Sequence, residues 1–222
     1  MNASHHLSDD LLWSYAAGSL DEPSSILIAT HLALCPKCRG IVAKAEQVGG
    51  ELFDDVSPVE MQGGALDAVM ARLDDVDDTV TEPSVTQPVA QYDDAIRLPQ
   101  PLKDYVSGSV QSLPWRWLGP GVHYAAIAPH AKGPKVGLLR IAPGTKVPMH
   151  GHSGHEMTMV LAGGYSDDTG HFMRGDVEAA DDEMVHQPVA DAGEDCVCLV
   201  VTEGQLLPTG MIAKMLQPFF RI

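Results

Sequence analysis

The chain is poor in basic charge: 14 Lys and Arg stand against 30 Asp and Glu in 222 residues, a formal net charge of −16. A surface of that sign repels phosphate backbones, which argues against direct nucleic-acid binding. It suits a basic protein partner, and it also serves plain solubility. Long apolar runs are missing too. No stretch reaches the ~18 consecutive apolar residues of a membrane span, and the opening MNASHHLSDDLLW lacks the basic stretch followed by an apolar core that marks a secretory leader. The expected setting is the cytoplasm, without a membrane. Cysteine is scarce, with four in the whole chain. In that setting so few thiols point to metal ligation or redox chemistry rather than to a disulfide framework. Hydrophobic residues make up 45% and charged residues 20%, enough apolar material for an ordinary globular core.

The pattern along the chain changes once. Residues 1–75 read as helical. Ser8-Asp9-Asp10 forms an N-cap with an acidic first turn ahead of LLWSYAAG, and Gly18 stands where that helix would stop. A second helix is expected after Asp21-Glu22-Pro23 and a third after Pro36. In the third, Ile41, Val42, Ala45, Val48 and Leu52 approximate helical spacing. A fourth is expected after Ser57-Pro58, with Val59, Leu66, Val69, Met70 and Leu73 as candidate buried positions. Residues 76–100 are acidic and proline-rich and read as a linker. From residue 101 to 222 short apolar runs such as KVGLLRIA, EMTMVLAG and DCVCLVVTEG alternate with Gly and Pro, as in an all-β barrel or sandwich. The expected fold class is α+β in two domains, a small all-α domain followed by an all-β one.

The helical part carries His31-Leu-Ala-Leu-Cys35-Pro-Lys-Cys38. On a helix, His31 and Cys35 fall one turn apart on one face, and Cys38 follows just past a turn at Pro36. Zinc takes tetrahedral N/S coordination, so a closed site needs a fourth ligand, for which His5 and His6 are the candidates. A domain this small gains from such a staple. The alternatives are a redox pair, which would call for a βαβ context that is absent here, and two inert packing thiols. The H-x3-C-x2-C spacing, with His6 25 residues upstream of His31, resembles the zinc-binding anti-sigma factor domain. That resemblance covers roughly residues 1–75. It favours His6 over His5 and implies that a sigma factor's polymerase-binding surfaces are buried against the helices. The apolar positions of the fourth helix would then belong either to that interface or to the domain's own core.

The clearest motif lies in the β part: Gly144-x5-His150-x-His152-x3-Glu156-x6-Gly163. Residues two apart on a strand share a face, so His150 and His152 point together, and Glu156 has the same parity after a turn at Ser153-Gly154. His186 follows 11 residues after Gly175 and would join them from a neighbouring antiparallel strand. His155 has the opposite parity and is expected to face outward. Three imidazoles and a carboxylate suit zinc or another divalent transition metal, and burying them unpaired would be costly. These spacings resemble the cupin superfamily, which implies a small conical β-barrel over 101–222 with the metal at its centre. The second stretch departs from the cupin pattern, with Asp181 and Glu183 where a proline and a glycine are usual, and this leaves the turn before His186 open.

A zinc anti-sigma domain joined to a cupin is similar to the ChrR-type anti-sigma factors, as are the opening HHLSDDLLWSYAAGSL and the closing KMLQPFFRI. The resemblance implies sequestration of an extracytoplasmic-function-type sigma factor as a 1:1 heterodimer. It implies release on oxidative signals such as singlet oxygen or organic peroxides, and a non-enzymatic role in transcription regulation. Cys196 and Cys198 share a strand face; a strain-free disulfide between them is unfavourable, and two buried small hydrophobes is the plainer reading. The rivals are a dioxygenase-like metal-dependent cupin enzyme with an N-terminal oligomerisation module, and a zinc-stapled scaffold for another partner.

Overall fold

A computed structural model describes residues 3–74, 96–106, 108–128, 133–204 and 206–208, and in it helices precede strands in the expected order. Most of the expected linker (75–95) and the closing KMLQPFFRI lie outside the described residues.

Helix α1 (Asp9–Ala16) begins at Ser8, whose hydroxyl accepts the backbone N–H of Leu11 at 3.4 Å. Asp9 and Asp10 add favourable charge at its first turn. It ends at Gly18, where φ is +64°, a conformation that glycine adopts freely. Helix α2 (Glu22–Leu34) is capped by Asp21, which accepts the N–H of Ser24 at 2.9 Å. Helix α3 (Pro36–Asp54) follows after a bend of 117° at Cys35, which ends one helix and caps the next. Pro36 fits there because a first-turn residue has no intrahelical use for an N–H. Ile26, Leu27, Ile28, Thr30, His31 and Leu32 of α2 are all buried, so this helix is covered around most of its circumference and opens to water only along Glu22, Ser25, Ala29 and Ala33.

The fourth helix departs from expectation. Helix α4 spans Ala65–Asp74, because Gly63-Gly64 interrupts the segment after Pro58, with Gly64 at φ +81°. Val59, Leu66, Val69, Met70 and Leu73, the expected buried candidates, are all at least half exposed, from 53% at Met70 to 89% at Val59. Helix α3 behaves similarly: Val42 and Ala45 are buried, whereas Val48 and Leu52 stand out in water. The apolar stripe therefore runs on beyond the core that could have covered it.

A short helix α5 (Gln100–Lys103) leads into the strands and delivers the fully buried Leu102 against the same core as α2. Strands β1 (Arg116–Gly119), β2 (Val122–Ala126), β3 (Lys135–Ile141), β11 (Cys196–Thr202), β5 (Glu156–Ala162) and β8 (Val177–Ala180) form one six-stranded antiparallel sheet in that order. Strands β10 (Val189–Ala190), β6 (Gly164–Ser166) and β7 (His171–Met173) make a second sheet, and β12 (Leu206–Pro208), β4 (His150–His152) and β9 (Val185–His186) a third. Among the described residues these ladders do not close into one ring, yet the sheets share a single interior.

Strand β11 explains how the two parts hold together. All seven of its residues are buried. Cys196, Cys198 and Val200 face the interior with Leu118, Tyr165 and Phe172, while Val197, Leu199 and Val201 join the core that includes Leu27, Ile28 and Leu32 of α2. Strands covered on both faces read as continuous apolar runs, which is why CVCLVV shows no alternation. Met157, Met159 and Leu161 of β5 line the same helix-facing side. Leu199 is fully buried at this seam. Leu199→Ala should cost about 2–5 kcal/mol, read as a lower urea midpoint at unchanged slope; a loss below about 1 kcal/mol would contradict the shared core.

Candidate metal centres

Two buried clusters of ligand-type side chains stand out, His6, His31, Cys35 and Cys38 in the helical part, and His150, His152, Glu156 and His186 in the β part. In each, one donor atom per residue lies within 4.8 Å of all the others.

The helical cluster forms where α2 bends into α3. His31 Nε2 is 3.2 Å from Cys38 Sγ, and His6 Nδ1 is 3.4 Å from Cys35 Sγ and 3.6 Å from Cys38 Sγ. A tetrahedral zinc, with Zn–N near 2.0 Å and Zn–S near 2.3 Å, needs donors roughly 3.3–3.8 Å apart, so the residues present fit that ion. His6 reaches the cluster and His5 does not: His5 packs its ring on Phe172 at 4.4 Å and faces Asp176. Burial lowers the pKa of both His6 and His31, with Lys37 adding to the effect at His6. Both imidazoles are thus kept in the neutral, ligating form. Burial and the neighbouring Cys35 push the Cys38 thiol up to about 12, so only a nearby cation would make it a thiolate at neutral pH.

The β cluster is assembled by strand register. Strand β9 pairs antiparallel with β4, placing His186 opposite His150, while His152 lies on the same face two residues on. Glu156 opens β5 and brings its carboxylate to 3.5 Å from His152 Nδ1. The imidazole centroids are 4.7–5.3 Å apart, and His152 Nε2 stands 3.3 Å from His186 Nε2. Two hydrogen bonds orient the rings. His150 Nδ1 donates to the Pro148 carbonyl at 2.8 Å and His186 Nδ1 to Asp167 Oδ2 at 2.8 Å, leaving both Nε2 atoms free for a cation. The turn left open before His186 is closed by Asp181, whose Oδ1 accepts the N–H groups of Glu183 and Met184 at 3.0 and 3.2 Å. His155 is exposed, as its parity predicts.

Behind His186 lies a carboxylate network that the motif spacing does not reveal. Thr169 Oγ1 bridges Asp167 Oδ1 at 2.6 Å and Glu178 Oε1 at 2.8 Å, and Tyr165 donates to Glu178 Oε2 at 2.7 Å. Burial alone would lower the His186 pKa, but its bonds to Glu178 and Asp167 outweigh this and raise it. Burial lowers His150, and burial with the flanking His150 and His186 takes His152 down to about 4. Burial lifts Glu156 to about 7. Above the cluster opens a cavity of about 300 Å³ with Leu118, Val122, Ile141 and Val200 in its walls and His150, Glu156 and His186 at its polar end. Cys198 lines it too, its sulfur 3.6 Å from that of Cys196, so the pair are neighbouring buried thiols rather than a disulfide.

The raised Glu156 pKa has a measurable sign. Between the ordinary carboxylate value of 4.5 and about 7, the metal-free folded chain holds a proton that the unfolded chain has lost, so this group's contribution to metal-free stability falls as pH rises through that window. A dication entering the cluster should expel that proton. Calorimetry in buffers of different ionisation heat should show about one proton fewer released on metal loading at pH 6 for Glu156→Gln than for the natural chain, with no such gap at pH 8. Equal release at pH 6 would contradict the assignment of Glu156 as a ligand.

Residues 104–206 match the family described as the ChrR cupin-like domain, and residues 8–39 match a putative zinc-finger family that takes in His31, Cys35 and Cys38. The anti-sigma-E factor ChrR of Cereibacter sphaeroides is 43% identical over 222 residues, the whole of both chains. The crystal structure of Rhodobacter sphaeroides SigE in complex with the anti-sigma ChrR contains a chain that superposes with a TM-score of 0.73 at 41% identity, covering 90% of this chain and 99% of that one. Full-length similarity at this level, over a helical zinc-finger-like part followed by a cupin fold with two zinc-compatible clusters, shows that the chain belongs to the ChrR family of anti-sigma factors.

Proposed function

We propose that this chain sequesters a sigma factor of the extracytoplasmic-function type in a 1:1 complex in the cytoplasm, and that an oxidant acting on the β cluster releases it. In this reading residues 1–75 form the restraining unit, 76–100 the linker and 101–222 the sensing unit. The observation that carries the first half is the apolar face left bare at the end of the helical part. Leu52, Phe53, Val56, Leu66, Met70 and Leu73 are 53–78% exposed, and large apolar side chains left in water in such number are what a protein docking surface presents. The SigE bound by the relative of known structure supports a partner of the same kind. Among the described residues no single helix is long and apolar enough to cross a membrane, which is compatible with the proposed location.

His6, His31, Cys35 and Cys38 would hold zinc in a closed structural site, and His150, His152, Glu156 and His186 would hold zinc or another divalent transition metal. Bound there, the ion supplies Lewis acidity and ties β4, β5 and β9 together. The cavity beside it is small and apolar-walled, suited to an organic hydroperoxide whose oxygens meet the polar end. The thiols are poor first targets. The contact with Cys196 and burial hold Cys198 well above its ordinary value, so its sulfur stays protonated and weakly nucleophilic. The metal-ligand set is therefore the proposed point of attack for peroxides and singlet oxygen. Damage there would favour a state of the β part that no longer supports the complex. The role is regulatory, and no turnover is required of the site.

Two experiments test this. Leu73→Asp and Met70→Asp, both on the exposed face, should weaken sigma binding by about 30-fold or more, as expected for loss of a docking anchor, while stability shifts by no more than about 0.5 kcal/mol. Unchanged binding in titration calorimetry would remove that face from the interface. Treating the purified complex with an organic hydroperoxide or photosensitised singlet oxygen should separate the partners on size exclusion. A complex that persists while mass spectrometry finds the cluster residues oxidised would contradict oxidant-driven release.

A further inference from the structure

The helical cluster is not built from helical residues alone. The ring of His31 has two nitrogens: Nε2 faces Cys38 and Nδ1 lies 2.9 Å from the backbone carbonyl of Gly175, in the turn between β7 and β8. A carbonyl only accepts, so Nδ1 carries the proton and Nε2 presents its lone pair to the cluster. Gly175 has φ +96°, so the turn that presents this carbonyl is one that glycine adopts without strain.

Asp176, 3% exposed, holds that turn against the N-terminus. Its Oδ1 accepts the backbone N–H groups of Ser4 at 2.5 Å and His5 at 2.9 Å, and its Oδ2 accepts that of Met173 at 2.9 Å. The N–H of Val177 returns a bond to the His5 carbonyl at 3.3 Å. The residue that follows this pinned backbone is His6. One carboxylate in the β part thus fixes both histidines of the helical cluster, His6 through its main chain and His31 through the Gly175 carbonyl.

We propose that Asp176 is a positioning residue of the helical metal centre, so that the centre's grip on its ion depends on the β part. The inference rests on the reading of His6, His31, Cys35 and Cys38 as a zinc site. Strand β8 continues from Asp176 to Glu178, which hydrogen-bonds Tyr165 2.7 Å away and stands 3.6 Å from His186 Nδ1 in the other cluster. The two centres are therefore connected along a single strand, and any coupling through it is reciprocal: if ion binding at one centre alters the affinity of the other, binding at the other alters the first by the same factor.

The test uses the full chain loaded with cobalt(II). Thiolate-to-cobalt charge-transfer bands report the helical centre, whose sulfur ligands are Cys35 and Cys38. Asp176→Asn removes the charge and one acceptor oxygen. Ser4→Pro deletes one donor from the helical side without touching the β turn. Chelator challenge should discharge these bands about 10–100-fold faster in Asp176→Asn, and faster than the natural chain in Ser4→Pro, the range expected when a ligand's supporting hydrogen bonds are lost. In the zinc-loaded natural chain, nitrogen-15 NMR should show a slowly exchanging His31 Nδ1 proton that exchanges quickly in both variants. A general loss of stability would leave that proton protected in the folded fraction. If Asp176→Asn fails to fold, Ser4→Pro alone decides. Folded variants with the natural discharge rate and a protected His31 proton would overturn the inference and leave the zinc site standing. A natural chain without thiolate bands would overturn the zinc reading and the inference together.

Discussion

Burial of ligand-type side chains whose nearest polar partners are one another is the constraint around which this chain is organised. Four imidazoles, two thiols and a carboxylate are withdrawn from water together with the half-covered His6, in two knots whose donor atoms turn inward on one another. Isolated groups of this kind cost several kcal/mol each to bury, and hydrogen bonds within a knot cannot satisfy every donor atom. The remaining partners are placed where they leave one nitrogen free, as at Pro148 and Asp167 for His150 and His186, and at Gly175 for His31. A divalent cation in each knot would resolve what the protein leaves open, and both donor sets are of a kind that suits zinc.

The second organising feature is the sheet between the knots. Helix α2 lies on one face of the six-stranded sheet and the cavity on the other, with β11 buried from both sides. A rearrangement around His150, His152, Glu156 and His186 therefore moves strands on whose far side the helices rest. In close-packed interiors a displacement is passed to neighbours rather than absorbed. The proposed docking positions at the end of α3 follow on from the same helical packing, since α3 packs on α1 and α2 and α2 packs on the sheet.

Much of this was legible in the sequence. Ligand spacing marked both clusters because a helix repeats near four residues and a strand at two, the cap at Ser8 marked where α1 begins, and Pro23 marked the first turn of α2. What was not legible depends on contacts between distant residues. No spacing rule connects Asp176 to Ser4 or Gly175 to His31, and the Asp167–Thr169–Glu178 network behind His186 uses residue types that are ordinary on any loop. The fourth helix was misplaced for a different reason. Its apolar pattern is real, but periodicity does not say whether a stripe meets the chain's own core or waits for a partner, and Gly63-Gly64 delays the helix to Ala65. The run CVCLVV lacks alternation because continuous apolarity in a strand goes with cover on both faces.

The proposed regulation requires two occupied coordination centres in one folded chain. Metal analysis of the purified full-length protein, alongside circular dichroism, tests this most directly. The expected result is about two divalent transition-metal ions per chain, one of them lost in Cys38→Ser and the other in His186→Ala. A cooperatively folded chain that carries neither ion, and takes up none when zinc is supplied, would contradict it.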